Sequence, residues 1–157
     1  MVMPIMEPHP RGYANPVILR ITAALPGFGA WDATPIESFS VLAQEMTMHF
    51  TYTRGADGGA FDFQLEISIY SINGLVPAGA AEWVTMGLYA PGPVAPGVDS
   101  DSRVQREYIT YTSQGAVAED FYFPVELNKA VERVRVRARE SGVTGTPGTL
   151  QITAILV

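Results

Sequence analysis

The chain predicts an all-β domain, an antiparallel β-sandwich or jelly roll of about eight strands, with an extended N-terminal arm and at most one short helix. Three observations carry that expectation. Apolar residues recur with a period of two from Val17 onward, Gly/Pro-rich turns separate short apolar runs, and only one brief segment carries helix signals. A length of 157 residues suits one domain, and 47 % apolar with 17 % charged residues suits a packed core rather than disorder.

Residues 1–16 stand apart from the domain at 17–157. They hold Pro4, Pro8, Pro10 and Pro16, which favour an extended, polyproline-like path and cannot enter a central strand. Met1, Val2, Met3, Ile5, Met6 and Tyr13 are interleaved with them. The segment reads either as a frayed terminus or as an arm that orders on a partner, with methionine as an adaptable contact residue. The arm is the reading taken forward.

Val17–Thr22 is the first expected strand. In 34–45, Thr34-Pro35-Ile36-Glu37 has the Thr, Glu and first-turn Pro of a capping box, so this stretch reads as a short helix, although SFSVLAQEM also fits a strand. Thr47–Thr53 alternates Met48, Phe50 and Tyr52 with Thr47, His49, Thr51 and Thr53. In 61–71, Phe61, Phe63, Leu65, Ile67 and Ile69 share one face, opposite Asp62, Gln64, Glu66, Ser68 and Tyr70. Asp57-Gly58-Gly59 lies between these runs and signals a hairpin, so 46–53 and 61–72 are expected to pair antiparallel. Further strands are expected at Trp83–Tyr89, Arg103–Thr112, Asp120–Leu127, Val131–Arg139 and Thr149–Val157. Pro124 points to an edge position for the Asp120–Leu127 strand.

The chemistry available is narrow. There is no cysteine, which removes disulfides, thiolate metal sites and Cys nucleophiles together. A net charge of −6 does not favour a nucleic-acid backbone. No apolar run reaches the 18 residues of a spanning helix, and the N-terminal residues do not read as a secretory signal. Neither G-x-S-x-G, H-E-x-x-H nor a P-loop is present, so no catalytic residue, cofactor site or metal site is assigned. Glu82 and the adjacent Glu119-Asp120 form no catalytic dyad, because neighbours on a strand face opposite sides. His49, flanked by threonines, reads as a sheet histidine rather than a base. Asp99-Ser100-Asp101 resembles the start of a calcium loop, but the glycine and distal Glu of such a loop are missing.

Four arginines mark a stripe. Arg133, Arg135, Arg137 and Arg139 fall on one face of a strand, opposite Val134, Val136 and Ala138. They either grip an acidic partner, a sialylated glycan or nucleic acid, of which the net negative charge favours a protein, or pair across strands with residues such as Asp62 and Glu66. Nine of the ten basic residues are Arg, Lys129 being the exception. Trp31 and Trp83, with seven Tyr, read either as a sugar-stacking platform or as sandwich core, and Trp83 at a strand start reads as core. At the C-terminus Leu150, Ile152, Ala154 and Leu156 continue one face while Ile155 and Val157 make the other apolar. That pattern implies burial both by the domain and by a partner.

The stretches MTMHFTYTRGADGGAFDFQLEISIYS, EWVTMG and VERVRVRARESGVTGTPGTLQITAIL resemble small virion proteins of tailed bacteriophages, across residues 46–157. The resemblance lies in a hairpin on TRGADGG, a Trp-containing next strand and a V-x-V-x-A-x-E-x-G…PGTL-x-I C-terminal hairpin. It implies a non-enzymatic head decoration (cement) protein on the capsid surface. Such a protein trimerises and binds the major capsid protein or another virion protein through terminal arms. It implies no cofactor and no direct contact with nucleic acid or membrane. The residues expected at partner contacts are Met1, Met3, Ile5, Met6, Tyr13, Arg133, Arg135, Arg137, Arg139, Ile155 and Val157. The competing expectation is a carbohydrate-binding jelly-roll module of a phage tail, with Tyr70, Tyr108 and Tyr111 as stacking platforms and calcium in the 90–102 loop.

Overall fold

Among the described residues nine strands form in chain order: β1 (Val17–Ala24), β2 (Ser38–Phe39), β3 (Glu45–Thr53), β4 (Ala60–Ile69), β5 (Trp83–Met86), β6 (Ile109–Thr112), β7 (Ala118–Glu126), β8 (Val131–Glu140) and β9 (Thr149–Leu156). The computed structural model describes residues 16–40, 43–57, 59–69, 83–89, 97–98, 104–115, 118–127, 131–142 and 145–157. The proposed arm contacts Met1, Met3, Ile5, Met6 and Tyr13 lie outside the described residues, as do Tyr70 and Asp99-Ser100-Asp101.

All pairings are antiparallel, in two sheets. One has the order β1-β9-β3-β7. The other has β2-β8-β4-β5, with β6 also beside β4. β5 and β6 occupy one position: β5 runs along Leu65–Ser68 of β4, and β6 continues in the same direction along Ala60–Phe63. They are two halves of one strand interrupted by 87–108. Leu88 and Arg106 pinch the base of that excursion with two reciprocal backbone hydrogen bonds of 2.8 Å. Counting this as one strand leaves eight positions, 1-9-3-7 facing 2-8-4-5/6. That is a jelly roll, as expected.

The core explains the order. Met46, Met48, Phe50 and Tyr52 of β3 and Phe61, Phe63 and Leu65 of β4 are all fully buried. If β3 and β4 were hairpin partners, their aromatic faces would lie side by side in one sheet and need a separate cover. Placed in opposite sheets, they bury each other: Phe50 meets Phe63 at 4.5 Å and Phe61 at 6.1 Å between ring centroids. Phe121 stacks on Phe50 at 4.6 Å and on Tyr111 at 4.3 Å, completing the cluster.

Four expectations are therefore corrected. Segments 46–53 and 61–72 do not pair, since β3 binds β7 and β9 while β4 binds β8, β5 and β6. The linker at 54–59 crosses between sheets, and the Asp57 carboxylate accepts hydrogen bonds from the Gly145 and Thr146 amides. The C-terminal pair β8 and β9 is likewise split between sheets. In place of the short helix at 34–45, Ser38–Phe39 pairs with Val134 and Arg133 of β8; the described residues contain no helix. There the backbone satisfies β8's open edge, a tertiary gain that outweighs the local capping signal. Trp83 is not core: it sits half-buried on the outer face, 4.1 Å from the Arg135 guanidinium. Pro124 lies on the edge strand β7, as its missing amide requires.

One end of the sandwich is polar inside. Glu140 is 1 % exposed, and its carboxylate accepts a hydrogen bond from the Gly148 amide. Gly148 fits only as glycine, because a Cβ there would stand 2.6 Å from Tyr52 Cε2 and 2.7 Å from Thr53 O. Burial holds the Glu140 carboxyl above its ordinary range, and nearby Asp57 and Asp62 add to the rise. Burial, with Glu140 and Glu119 nearby, also raises the Tyr52 hydroxyl, while burial and Glu119 push Tyr111 up to about 12.

A raised carboxyl binds its proton more tightly in the folded chain than in the unfolded one. Stability from this group is complete below the ordinary carboxyl value of 4.5 and is lost as pH rises toward the folded value. Glu140→Gln keeps the acceptor for Gly148 and removes the ionisation. Urea midpoints at pH 4 and pH 7 should show the variant gaining on the parent as pH rises; a gap independent of pH counts against a buried, ionisable Glu140.

Candidate functional site

The arginine stripe lies on β8, which is flanked by β2 and β4. Register places Asp62 opposite Arg139, Gln64 opposite Arg137, Glu66 opposite Arg135 and Ser68 opposite Arg133. Glu66 Oε2 accepts from Arg135 Nε at 2.5 Å and Arg137 Nε at 2.9 Å, so one carboxylate bridges two guanidinium groups. Asp62 accepts from Arg139 Nε at 3.0 Å and from the Thr110 hydroxyl at 2.8 Å. Glu37 Oε2 takes Arg133 Nη1 at 3.3 Å.

Aromatic rings cover the same cations. Arg139 lies 4.2 Å from the Trp31 ring centroid, with Phe28 and Tyr108 each at 5.3 Å, and Arg133 lies over Phe39 at 5.5 Å. Much of this cover comes from the segment between β1 and β2. Arg20, turned inward from β1, binds both Asp32 oxygens, at 2.9 and 3.1 Å. Asp32 Oδ2 also accepts the Ala138 amide at 3.1 Å, and Asp32 O accepts Arg137 Nη1 at 3.0 Å. The segment is thus clamped across the outer face of β8. Each arginine of the stripe has an anion and a ring or carbonyl from its own chain.

The outer face of the other sheet is different. Its cross-strand rows run Val157–Glu45–Glu126, then Ile155–Thr47–Pro124, then Ile18–Thr153–His49–Tyr122, then Gln151–Thr51–Asp120. Ile18 is 49 % exposed, Tyr122 65 %, Ile155 42 % and Val157 48 %, and Pro124 is exposed beside them. These apolar groups gather at the end where Val17 enters and Val157 leaves the sheet. Ile155 and Val157 thus stand where the sequence expected a second apolar face, and nothing among the described residues covers them. His49 Nε2 is 3.1 Å from Asp120 Oδ1 and its ring stacks on Tyr122 at 4.7 Å. Glu45 and Glu126 face each other as a like-charged pair, an unfavourable arrangement for an isolated sheet.

The sheet edges are blunted. β1 is broken by register shifts around Arg20, β2 has two residues, β5 has four, and β7 carries Pro124. A cleft of about 600 Å³ opens between β7 and the start of the 87–108 excursion, lined by Met86, Leu88, Phe123 and Val125 with Glu45, Glu126 and Gln105. Among the described residues no three His, Cys, Asp or Glu side chains converge as a metal site. Of the tyrosines expected to stack on sugars, Tyr111 is corrected: it is buried against Phe121 because it faces inward from β6. Tyr108 is exposed, with its ring edge-on to Trp31 at 5.9 Å. The exposed rows were only partly visible in sequence: Ile155 and Val157 stood out, but Ile18, Tyr122 and Pro124 come together only through register.

No protein-family model matches the chain, and no curated protein or solved structure matches it. The geometry makes the arginine stripe a structural element. Glu66→Gln leaves Arg135 and Arg137 without their shared anion and should lower unfolding free energy by about 1–3 kcal/mol in denaturant titration. A variant as stable as the parent would mean the ladder contributes no net stability.

Proposed function

We propose that the chain is a non-enzymatic structural component of a bacteriophage particle, of the head decoration type, which binds the major capsid protein or another shell protein from outside. The observation that carries this reading is the cluster of exposed apolar side chains, Ile18, Tyr122, Pro124, Ile155 and Val157, where the proline- and methionine-rich residues 1–15 join β1. A rigid sandwich with blunted edges is left with its face and its terminal segment for lasting contacts. The jelly roll is used by viral capsid domains as well as by lectins, so the fold agrees with the role without assigning it. The phage context comes from the sequence resemblance over residues 46–157. A homotrimer on the capsid lattice is the assembly proposed.

Removing residues 1–15 tests the reading. The truncated chain should keep its unfolding transition and lose co-sedimentation with decoration-free capsids, together with the gain in their heat stability. Undiminished binding and stabilisation by the truncated chain would overturn the role of the arm.

A further inference from the structure

We infer that the cleft between β7 and the start of the 87–108 excursion takes an arginine-bearing, otherwise apolar peptide segment of the protein it binds. This rests on the proposed function and names the chemistry of the shell-protein segment that the face receives.

The cleft makes two demands that one side chain answers. Its floor is apolar, with Met86 and Leu88 on one side and Phe123 and Val125 on the other. Its rim carries Glu45 and Glu126, both exposed and opposite each other on β3 and β7. No ion pair among the described residues involves either carboxylate. Like charges in register on neighbouring strands repel, so the free protein carries this pair at a cost. A guanidinium placed between them turns the repulsion into charge-assisted hydrogen bonds, and its aliphatic stem lies against the floor. The compact ammonium of a lysine lacks the planar fork that spans two carboxylates. The converse arrangement holds elsewhere in the molecule, where the single Glu66 carboxylate joins Arg135 and Arg137.

The site is built rather than incidental. Two reciprocal backbone hydrogen bonds between Leu88 and Arg106 hold one wall. The Gln105 side chain packs directly over Gly87, where a Cβ would collide with it. The volume of about 600 Å³ has room for an arginine side chain and an apolar neighbour.

What adjoins the cleft favours a peptide over a free cation. Thr47 and Pro124 line it and also belong to the row that ends at Ile155. A chain whose arginine enters the cleft therefore runs on to exposed apolar groups. Pro124 offers no amide, so at this point of β7 the segment is held by side chains rather than as an added strand. Nucleic acid would bring phosphates against two carboxylates. A neutral apolar segment would cover those carboxylates and leave them without a partner.

Methyl NMR of the intact protein tests the assignment at Met86, Leu88 and Val125. The probes are the capped tripeptide acetyl-Leu-Arg-Leu-amide and its counterpart with citrulline, the neutral isostere of arginine. The arginine peptide should give saturable shifts, and the citrulline peptide should bind about tenfold more weakly. A Glu45→Gln/Glu126→Gln variant should lose the same preference while unfolding at no lower urea concentration than the parent. Absence of shifts with the arginine peptide, or equal affinity for both peptides, overturns the inference. Shifts that follow protein concentration without peptide would give the cleft to a second copy and overturn it too. Co-sedimentation with decoration-free capsids separates the two proposals. A double variant that binds capsids as tightly as the parent refutes the cleft's role alone, and a parent that takes the arginine peptide but never binds capsids refutes the capsid role alone.

Discussion

The structure depends on two aromatic faces that must bury each other. Phe50 and Tyr52 from one sheet and Phe61 and Phe63 from the other are too large and apolar to stay in water, and each is fully buried. Their mutual packing places β3 and β4 in opposite sheets despite a linker of only six residues, 54–59. Once those two strands are opposed, the remaining strands take their places beside them, and the jelly-roll order follows. Gly148 and Asp57 are adaptations to this crossing: one lets the turn before β9 pass against Tyr52, the other ties the crossing linker to that turn.

The two outer faces are built differently, although both expose apolar groups, Phe28, Phe39 and Tyr108 standing over the arginines. Segment 25–37 lies over β8, where Asp32 joins Arg20 to Ala138 and Arg137, and the guanidinium groups are sandwiched between carboxylates and rings. Charge that looks available in the sequence is consumed inside the molecule. The opposite face exposes isoleucine, valine, tyrosine and proline beside Glu45, Glu126 and Asp120, and the sequence before β1 is rich in methionine and proline. The edges offer little to another strand.

Much of this was legible in the sequence, for identifiable reasons. Period-two alternation in 61–71 and Asp120–Leu127 marks strands because only a half-buried sheet face rewards it, and β4 and β7 form there. Pairing was less legible. Asp57-Gly58-Gly59 is a good hairpin linker by local chemistry, but the choice between hairpin and crossing is made by the aromatic residues on either side. Residues 83–89 and 103–112 each read as a strand, and nothing local shows that β5 and β6 are halves of one. β2 was hidden because its two residues are strand only through β8. In the stripe, alternation put four arginines on one face, but their neighbours come from two distant segments, Asp62 and Glu66 from β4 and Trp31 and Glu37 from 25–37. Register brings those together, and sequence spacing does not encode register.

We propose that the face of β1-β9-β3-β7, rather than the arginine-bearing face, is where this protein meets the shell protein it binds. Hydroxyl-radical footprinting with mass-spectrometric readout tests it on single side chains of the intact chain, free and bound to decoration-free capsids. The expected result is falling reactivity at Tyr122, Ile155 and Val157 on capsid binding, with Phe28 and Tyr108 unchanged. Protection of Phe28 and Tyr108 with Tyr122 still reactive would contradict the claim.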